Sequence, residues 1–205
     1  MKTENAWEKY TNTQLEEVDA LSKAYRAFLN HGKTERECVN QIVERAKKAG
    51  YKELSALIKE GRTCKPGDKV YAVNMEKAVI LFQVGSEPME SGMNILGAHI
   101  DSPRLDVKQN PLYEDGDFAF LDTHYYGGIK KYQWVTIPLA IHGVVVRKNG
   151  EKVIVNIGEK EDDPVFFVSD LLVHLAADQL EKKASKVIEG EALDIIIGNR
   201  PLQDE

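Results

Sequence analysis

The sequence predicts a mixed α/β fold, with a layered α/β part followed by a β-rich part and a change of character near residues 102–106. Three observations predict it. Residues 13–60 carry apolar side chains at helical spacing, set between helix-start and helix-stop signals. From Lys69 the period shortens to that of strands, and one run, residues 93–101, is nearly all apolar, as a strand in a buried sheet would be. Beyond Pro103 the strand-like runs become aromatic and alternate with turn signals more than with helices.

The elements follow in order. Thr13 and Glu16 form a capping-box pattern, and Leu15, Val18, Leu21, Tyr25, Phe28 and Leu29 continue at helical spacing until Gly32 supplies a stop. Thr34 and Glu37 form a second box, opening a helix that carries Val39, Ile42, Val43 and Ala46 and ends near Gly50. A shorter helix is expected over about residues 53–60. These apolar stripes read as core. Lys65-Pro66-Gly67-Asp68 is a turn. Strands are expected at 69–74 and 78–84, joined tightly through 74–77, then a loop to Gly92 and the strand 93–101. Farther on, Asn110-Pro111 breaks an alternating run, 118–126 reads as a strand, and Tyr126-Gly127-Gly128 marks a tight bend. Residues 134–146 form a long strand candidate. Asn149-Gly150 predicts a type I′ hairpin with 152–157 as the returning strand. Ser169 is placed to cap a helix over 170–183, and 192–197 is the last strand.

Composition narrows the function classes. With 42% hydrophobic and 29% charged residues the chain is globular in character. A net charge of −6 without a basic stripe argues against a nucleic-acid partner. The longest apolar stretch, 137–146, is interrupted by His142 and is too short to span a bilayer, so no membrane partner is expected. No signal-peptide segment opens the chain, and Cys38 and Cys64 lie in no metal or redox spacing; reduced thiols and a cytoplasmic location are expected.

The chemistry concentrates at His99-Ile100-Asp101. Residues two apart on a strand share a face, so both side chains fall on one side at a strand's end, with Pro103 stopping further pairing. Such a pair supports two readings: a histidine that only hydrogen-bonds an aspartate, or a metal-binding imidazole whose other N–H is held by a carboxylate. The remaining candidates have simple structural readings. His142 reads as a core histidine with one backbone partner, His124 as a strand-face residue or a site-rim contact, His174 as a packed helix residue, and His31 as a helix-end residue. Lys130 and Lys131 are a solvated pair or face an acidic substrate. Residues 159–163 form an exposed acidic loop, and Arg104 either holds a carboxylate or bridges the junction.

Gly97-Ala98-His99-Ile100-Asp101-Ser102-Pro103 resembles the G-A-H-x-D-S-P segment of the aspartyl-aminopeptidase-like family of dinuclear zinc aminopeptidases. Ala72-Val73-Asn74, the Tyr126-Gly127-Gly128 turn, the segment from Ser169 to Ala176 and the early helices resemble that family in the same order. The resemblance implies a catalytic α/β domain over 1–102, interrupted by a β-rich dimerisation domain over 103–205. It also implies a homo-oligomer, commonly a dodecamer. It implies that His99 is a ligand to one of two zinc ions, with cobalt or manganese as alternatives, and that Asp101 is the catalytic-site carboxylate that orients His99. The implied reaction removes an N-terminal residue from a peptide substrate with metal-activated water and a glutamate base. The family's other ligands and its base lie downstream of any counterpart in this chain. A catalytic zinc takes about three protein ligands, so the chain alone is expected to bind metal weakly and hydrolyse nothing. Where acidic-specific members carry a histidine and Asp-Arg-Asp, this chain has Tyr132 and Thr136-Ile137-Pro138, as in a bacterial subgroup, which removes the basis for assigning a preference for N-terminal aspartate or glutamate. The competing expectation is a non-catalytic assembly module derived from the same family.

Overall fold

The structure is a computed structural model and describes residues 5–200. The chain divides into two compact units, Met1–Asp101 and Ser102–Glu205.

In the first unit, helix α1 (Asn12–His31) starts two residues earlier than the Thr13 signal predicts. Thr11 is the cap: its hydroxyl accepts from the Gln14 N–H at 3.3 Å, and Gln14 Oε1 accepts from the Thr11 N–H at 2.9 Å. A glutamine thus closes the box that the sequence assigned to a glutamate. The α1 stripe is not core either, since the helix buries no residue and Leu21, Tyr25 and Leu29 stay exposed. Helix α2 (Glu35–Lys48) begins at the predicted Thr34–Glu37 box and buries Cys38, Val39 and Ala46. Gly32 lets the two helices meet, because a Cβ there would lie 2.8 Å from Cys38 Sγ.

Strand β1 (Lys52–Glu53) runs into helix α3 (Leu54–Lys59) and pairs parallel with β2 (Lys69–Asn74). Strand β3 (Ala78–Gln83) returns antiparallel to β2. The connection is a type I′ turn: Lys77 N–H donates to Asn74 O, and Met75 and Glu76 are both left-handed at φ 50 and 62. An Arg36–Glu76 ion pair ties α2 to this turn. Val70 and Tyr71 complete the buried set with Leu57.

Residues 93–101 were expected to form a strand and do not. A strand is defined by its ladder, and no neighbouring strand pairs with this run among the described residues. Its apolar side chains are correspondingly bare, with Leu96 fully exposed at 100%.

The second unit is mostly β. Strand β4 (Arg104–Asp115) pairs antiparallel with β5 (Phe118–Tyr126), whose other edge takes β8 (Ile195–Gly198). Pro111 does not end β4 as its sequence suggests. The strand lies at the sheet edge, and the register shifts between Val107 and Leu112, so the missing N–H costs no ladder bond there.

Strands β6 (Ile141–Val146) and β7 (Lys152–Ile157) form a separate hairpin. Its turn is not type I′. Gly150 N–H donates to Arg147 O, and only Gly150 is left-handed, at φ 84, as in a turn followed by a glycine bulge. The long strand predicted from Trp134 is also shorter. Thr136 is left-handed at φ 63 and Pro138 has no N–H, so residues 135 and 139 make only isolated bridges, to Val168 and Phe166.

The helix predicted over 170–183 reduces to a 3-10 turn, Val173–Leu175, and the single turn α4 (Ala177–Leu180). Ser169 caps neither. Asp170 Oδ1 instead accepts from Leu171 N–H and from Gln179 Nε2, holding a local turn. Leu171, Leu172, Leu175 and Leu180 remain exposed, so the apolar face that would stabilise a longer helix is not buried.

The core of this unit is Val135, Phe166, Val168, Leu193 and Ile195. Thr123, fully buried on β5, donates its hydroxyl to Leu193 O at 2.6 Å.

Candidate functional site

His99 and Asp101 lie outside any helix or strand. The ring Nδ1 is 3.0 Å from the Asp101 carbonyl oxygen and 3.2 Å from its carboxylate Oδ1. A carbonyl and an ionised carboxylate only accept. These contacts favour a proton on Nδ1; in the neutral ring that leaves the lone pair on Nε2. The imidazole side chain is 83% exposed and the carboxylate 37%, so this lone pair is accessible. The sequence placed the pair on one face by strand alternation. The structure brings it together through two acceptors of one residue instead.

The donor set fits one ligand position of a zinc site. Neutral imidazole backed by a carboxylate is a common zinc ligand. It is one donor, and among the described residues no group of three or more His, Cys, Asp and Glu side chains comes together to hold a metal ion.

The other candidates resolve differently. His142 is nearly buried, and its Nε2 is 3.0 Å from a Glu159 carboxylate oxygen, a charged partner the sequence did not indicate. His124 lies on the exposed face of β5, 3.6 Å from Glu191. His174 sits in the 3-10 turn after residue 172, and His31 Nδ1 is 2.7 Å from the Ala27 carbonyl in the last turn of α1. Lys131 lies over the Tyr125 ring at 5.6 Å. In the acidic loop, Asp163 accepts three backbone N–H groups, from Gly158, Glu159 and Lys160, which hold its carboxyl below the ordinary range. Arg104 pairs with Asp106 at 2.7 Å, inside the second unit. Cys38 and Cys64 are free thiols.

One ionic cluster carries no sequence signal of its own. Lys108 lies 2.8 Å from both Asp122 and Glu191. Hydrogen bonds to these carboxylates push the ammonium pKa up, and the same lysine holds Glu191 below the ordinary carboxylate range. Alternation on facing strands would suggest Lys108 with Asp122. Glu191, 83 residues along the chain from Lys108, could not be found that way.

No helix among the described residues is long and apolar enough to cross a membrane.

The fold and the site together define only a class: a mixed α/β protein that carries an exposed imidazole hydrogen-bonded to an aspartate. The particular family comes from comparison. Residues 28–205 match the family model described as aminopeptidase I zinc metalloprotease (M18). A probable M18 family aminopeptidase 1 of Clostridium acetobutylicum is 62% identical over 200 residues, covering 98% of this chain and 43% of that protein. Among solved structures, an M18-family aminopeptidase from Thermotoga maritima superposes with a TM-score of 0.89 at 43% identity, covering 100% of this chain and 43% of that one. The aminopeptidase I of Clostridium acetobutylicum superposes with a TM-score of 0.84 at 59% identity, covering 98% and 44%. The chain belongs to the M18 aminopeptidase family. It spans less than half the length of the relatives it matches.

Proposed function

We propose that these residues belong to a zinc aminopeptidase that removes N-terminal residues from peptides, and that His99 is one of its metal ligands. The observation that carries this is the pair of acceptors facing Nδ1, which favours a proton there and, in the neutral ring, leaves Nε2 to bind a cation. Asp101 is then the orienting carboxylate. Bound zinc would supply Lewis acidity and an activated water, in a site of two ions on the family pattern, with cobalt or manganese able to substitute. What this chain supplies is one nitrogen donor, its orientation and its exposure. The remaining donors and the base belong to the longer protein that the relatives exemplify. Residues 1–102 are assigned to the catalytic domain and 103–205 to a dimerisation domain. Self-association into a homo-oligomer, the family's dodecamer, is consistent with the many large apolar side chains left exposed on β4, β5 and the β6–β7 hairpin. A cytoplasmic location completes the reading.

The test is zinc-dependent hydrolysis of aminoacyl-nitroanilides by the whole protein. The His99→Ala variant should lose bound zinc and nearly all turnover. If His99→Ala keeps wild-type zinc content and kcat, His99 is not a ligand. A whole protein that neither holds zinc nor hydrolyses these substrates would instead favour the assembly-module reading.

A further inference from the structure

We propose that the first unit carries a binding site for a small phosphate monoester, in a cleft lined from the end of α2, the β1–α3 segment and β2. The cleft has a volume of about 480 Å³ and lies wholly within that unit. That is the size of a small-molecule site. Tyr51, Leu57 and Tyr71 give it an apolar wall, and Lys47, Lys52 and Arg62 give it a charged one. The inference does not rest on the reading of His99.

Tyr71 is the observation that points to a ligand. It is buried at 4% exposure on β2, the middle strand of its sheet. Its hydroxyl has no hydrogen-bond partner among the described residues, although a buried tyrosine O–H normally finds one. Among those residues no fully enclosed side-chain oxygen or nitrogen lacks a partner. The small exposed part of Tyr71 therefore includes its hydroxyl, and the cleft is the opening that Tyr71 lines. An oxyanion seated there would supply the missing acceptor.

The charges around this hydroxyl have the matching sign. Lys47 and Lys52 are exposed and pair with no carboxylate among the described residues. The two carboxylates of the lining are already engaged. Glu53 Oε1 accepts from the Ser55 hydroxyl at 2.6 Å, and Glu60 Oε2 lies 3.7 Å from Arg62 Nη1. Lys69 adds a positive charge beside the wall, 5.7 Å from the Tyr51 ring centroid. The lining is thus net positive in a chain whose net charge is −6. A cleft lined by one sign of charge concentrates ions of the other. A phosphate can take several ammonium groups and an O–H donor at once, whereas a carboxylate is met by a single guanidinium fork. The Tyr51 ring and Leu57 leave an apolar surface for the rest of the ester.

The experiment titrates the whole protein with phenyl phosphate, inorganic phosphate and benzoate by isothermal calorimetry, after treatment with a chelator so that a bound metal is excluded as the anion's partner. Phenyl phosphate should bind saturably, inorganic phosphate more weakly for want of the apolar contact, and benzoate most weakly. Losing a hydrogen bond to an ionised group costs about tenfold or more in affinity, so Tyr71→Phe should weaken phenyl phosphate binding by at least about 10-fold. The same variant should leave thermal unfolding of the ligand-free protein unchanged, because the hydroxyl has no bond there to lose. Lys47→Ala and Lys52→Ala remove exposed charges and should each weaken binding about 2- to 5-fold. Wild-type affinity should fall as salt rises. An absence of saturable binding would leave water as the partner of the Tyr71 hydroxyl and overturn the proposal. So would a Tyr71→Phe affinity within about twofold of the wild type. Benzoate or inorganic phosphate binding as tightly as phenyl phosphate would overturn the assignment to a phosphate monoester.

Discussion

Replacing Asp101 with alanine removes one of the two acceptors on His99 Nδ1 and leaves the backbone carbonyl at 3.0 Å. In the free chain the effect should be small. The imidazole is 83% exposed, and exposed pairs of this kind contribute about 0.2–1 kcal/mol. That converts to a change of about 1.4- to 5-fold in the ratio of ring tautomers, at about 1.4 kcal/mol per tenfold. If His99 ligates zinc in the whole protein, as proposed, the same carboxylate would face an imidazole polarised by a cation, and its loss should cost about 10- to 100-fold in affinity. Asp101→Asn keeps an oxygen acceptor and should retain most of the tautomer preference. The assay is long-range proton–nitrogen correlation of the imidazole in this chain, recorded above the histidine titration range, with chelator competition for zinc in the whole protein. The reasoning would be refuted by a wild-type His99 that carries its proton mainly on Nε2, because the exposed nitrogen would then have no lone pair to give.

Two further outcomes are expected. Leu193 is fully buried at 0% exposure among Val135, Phe166, Val168 and Ile195, so Leu193→Ala should cost about 2–5 kcal/mol in urea denaturation; a loss under about 1 kcal/mol would mean that the site collapses around the smaller side chain. The Tyr113 phenol is pushed up to about 12, first by burial and then by its hydrogen bond to Asp194. The neutral phenol is thus favoured in the folded state, and its contribution is complete below the unfolded value of about 10 and lost as pH rises from there through the folded value; Tyr113→Phe should remove that slope, followed by phenolate absorbance and by stability against pH.

The legible parts of the fold are those that local chemistry decides. Thr34 and Glu37 satisfy each other's backbone within three residues, so the start of α2 could be read directly. The strands 69–74 and 118–126 are rich in β-branched and aromatic residues and find partners close in sequence. The errors arise where a pattern needs a partner it does not specify. Residues 93–101 are apolar enough for a central strand, but a ladder requires a neighbour, and none pairs with them among the described residues. The Leu172–Leu180 stripe fails for the same reason: an amphipathic helix is stabilised by what its apolar face buries, and this face is exposed. The type I′ expectation at Asn149-Gly150 fails more locally. Asn-Gly serves two turn geometries, and the one observed needs a left-handed residue only at Gly150.

The candidate site was legible for a reason that differs from the one that holds it together. Strand alternation put His99 and Asp101 together, and they do meet, but without a strand. Two acceptors of a single residue reach the same ring nitrogen, so the pairing survives where the ladder does not. Arg104 is the opposite case. Its ring partner Tyr126 comes from the next strand, so the contact emerges only when β4 and β5 are in register. A one-residue slip of that register would turn Tyr126 to the other face of the sheet and dissolve the stack. A contact between residues two apart is thus legible in the sequence, and one that depends on strand register is not.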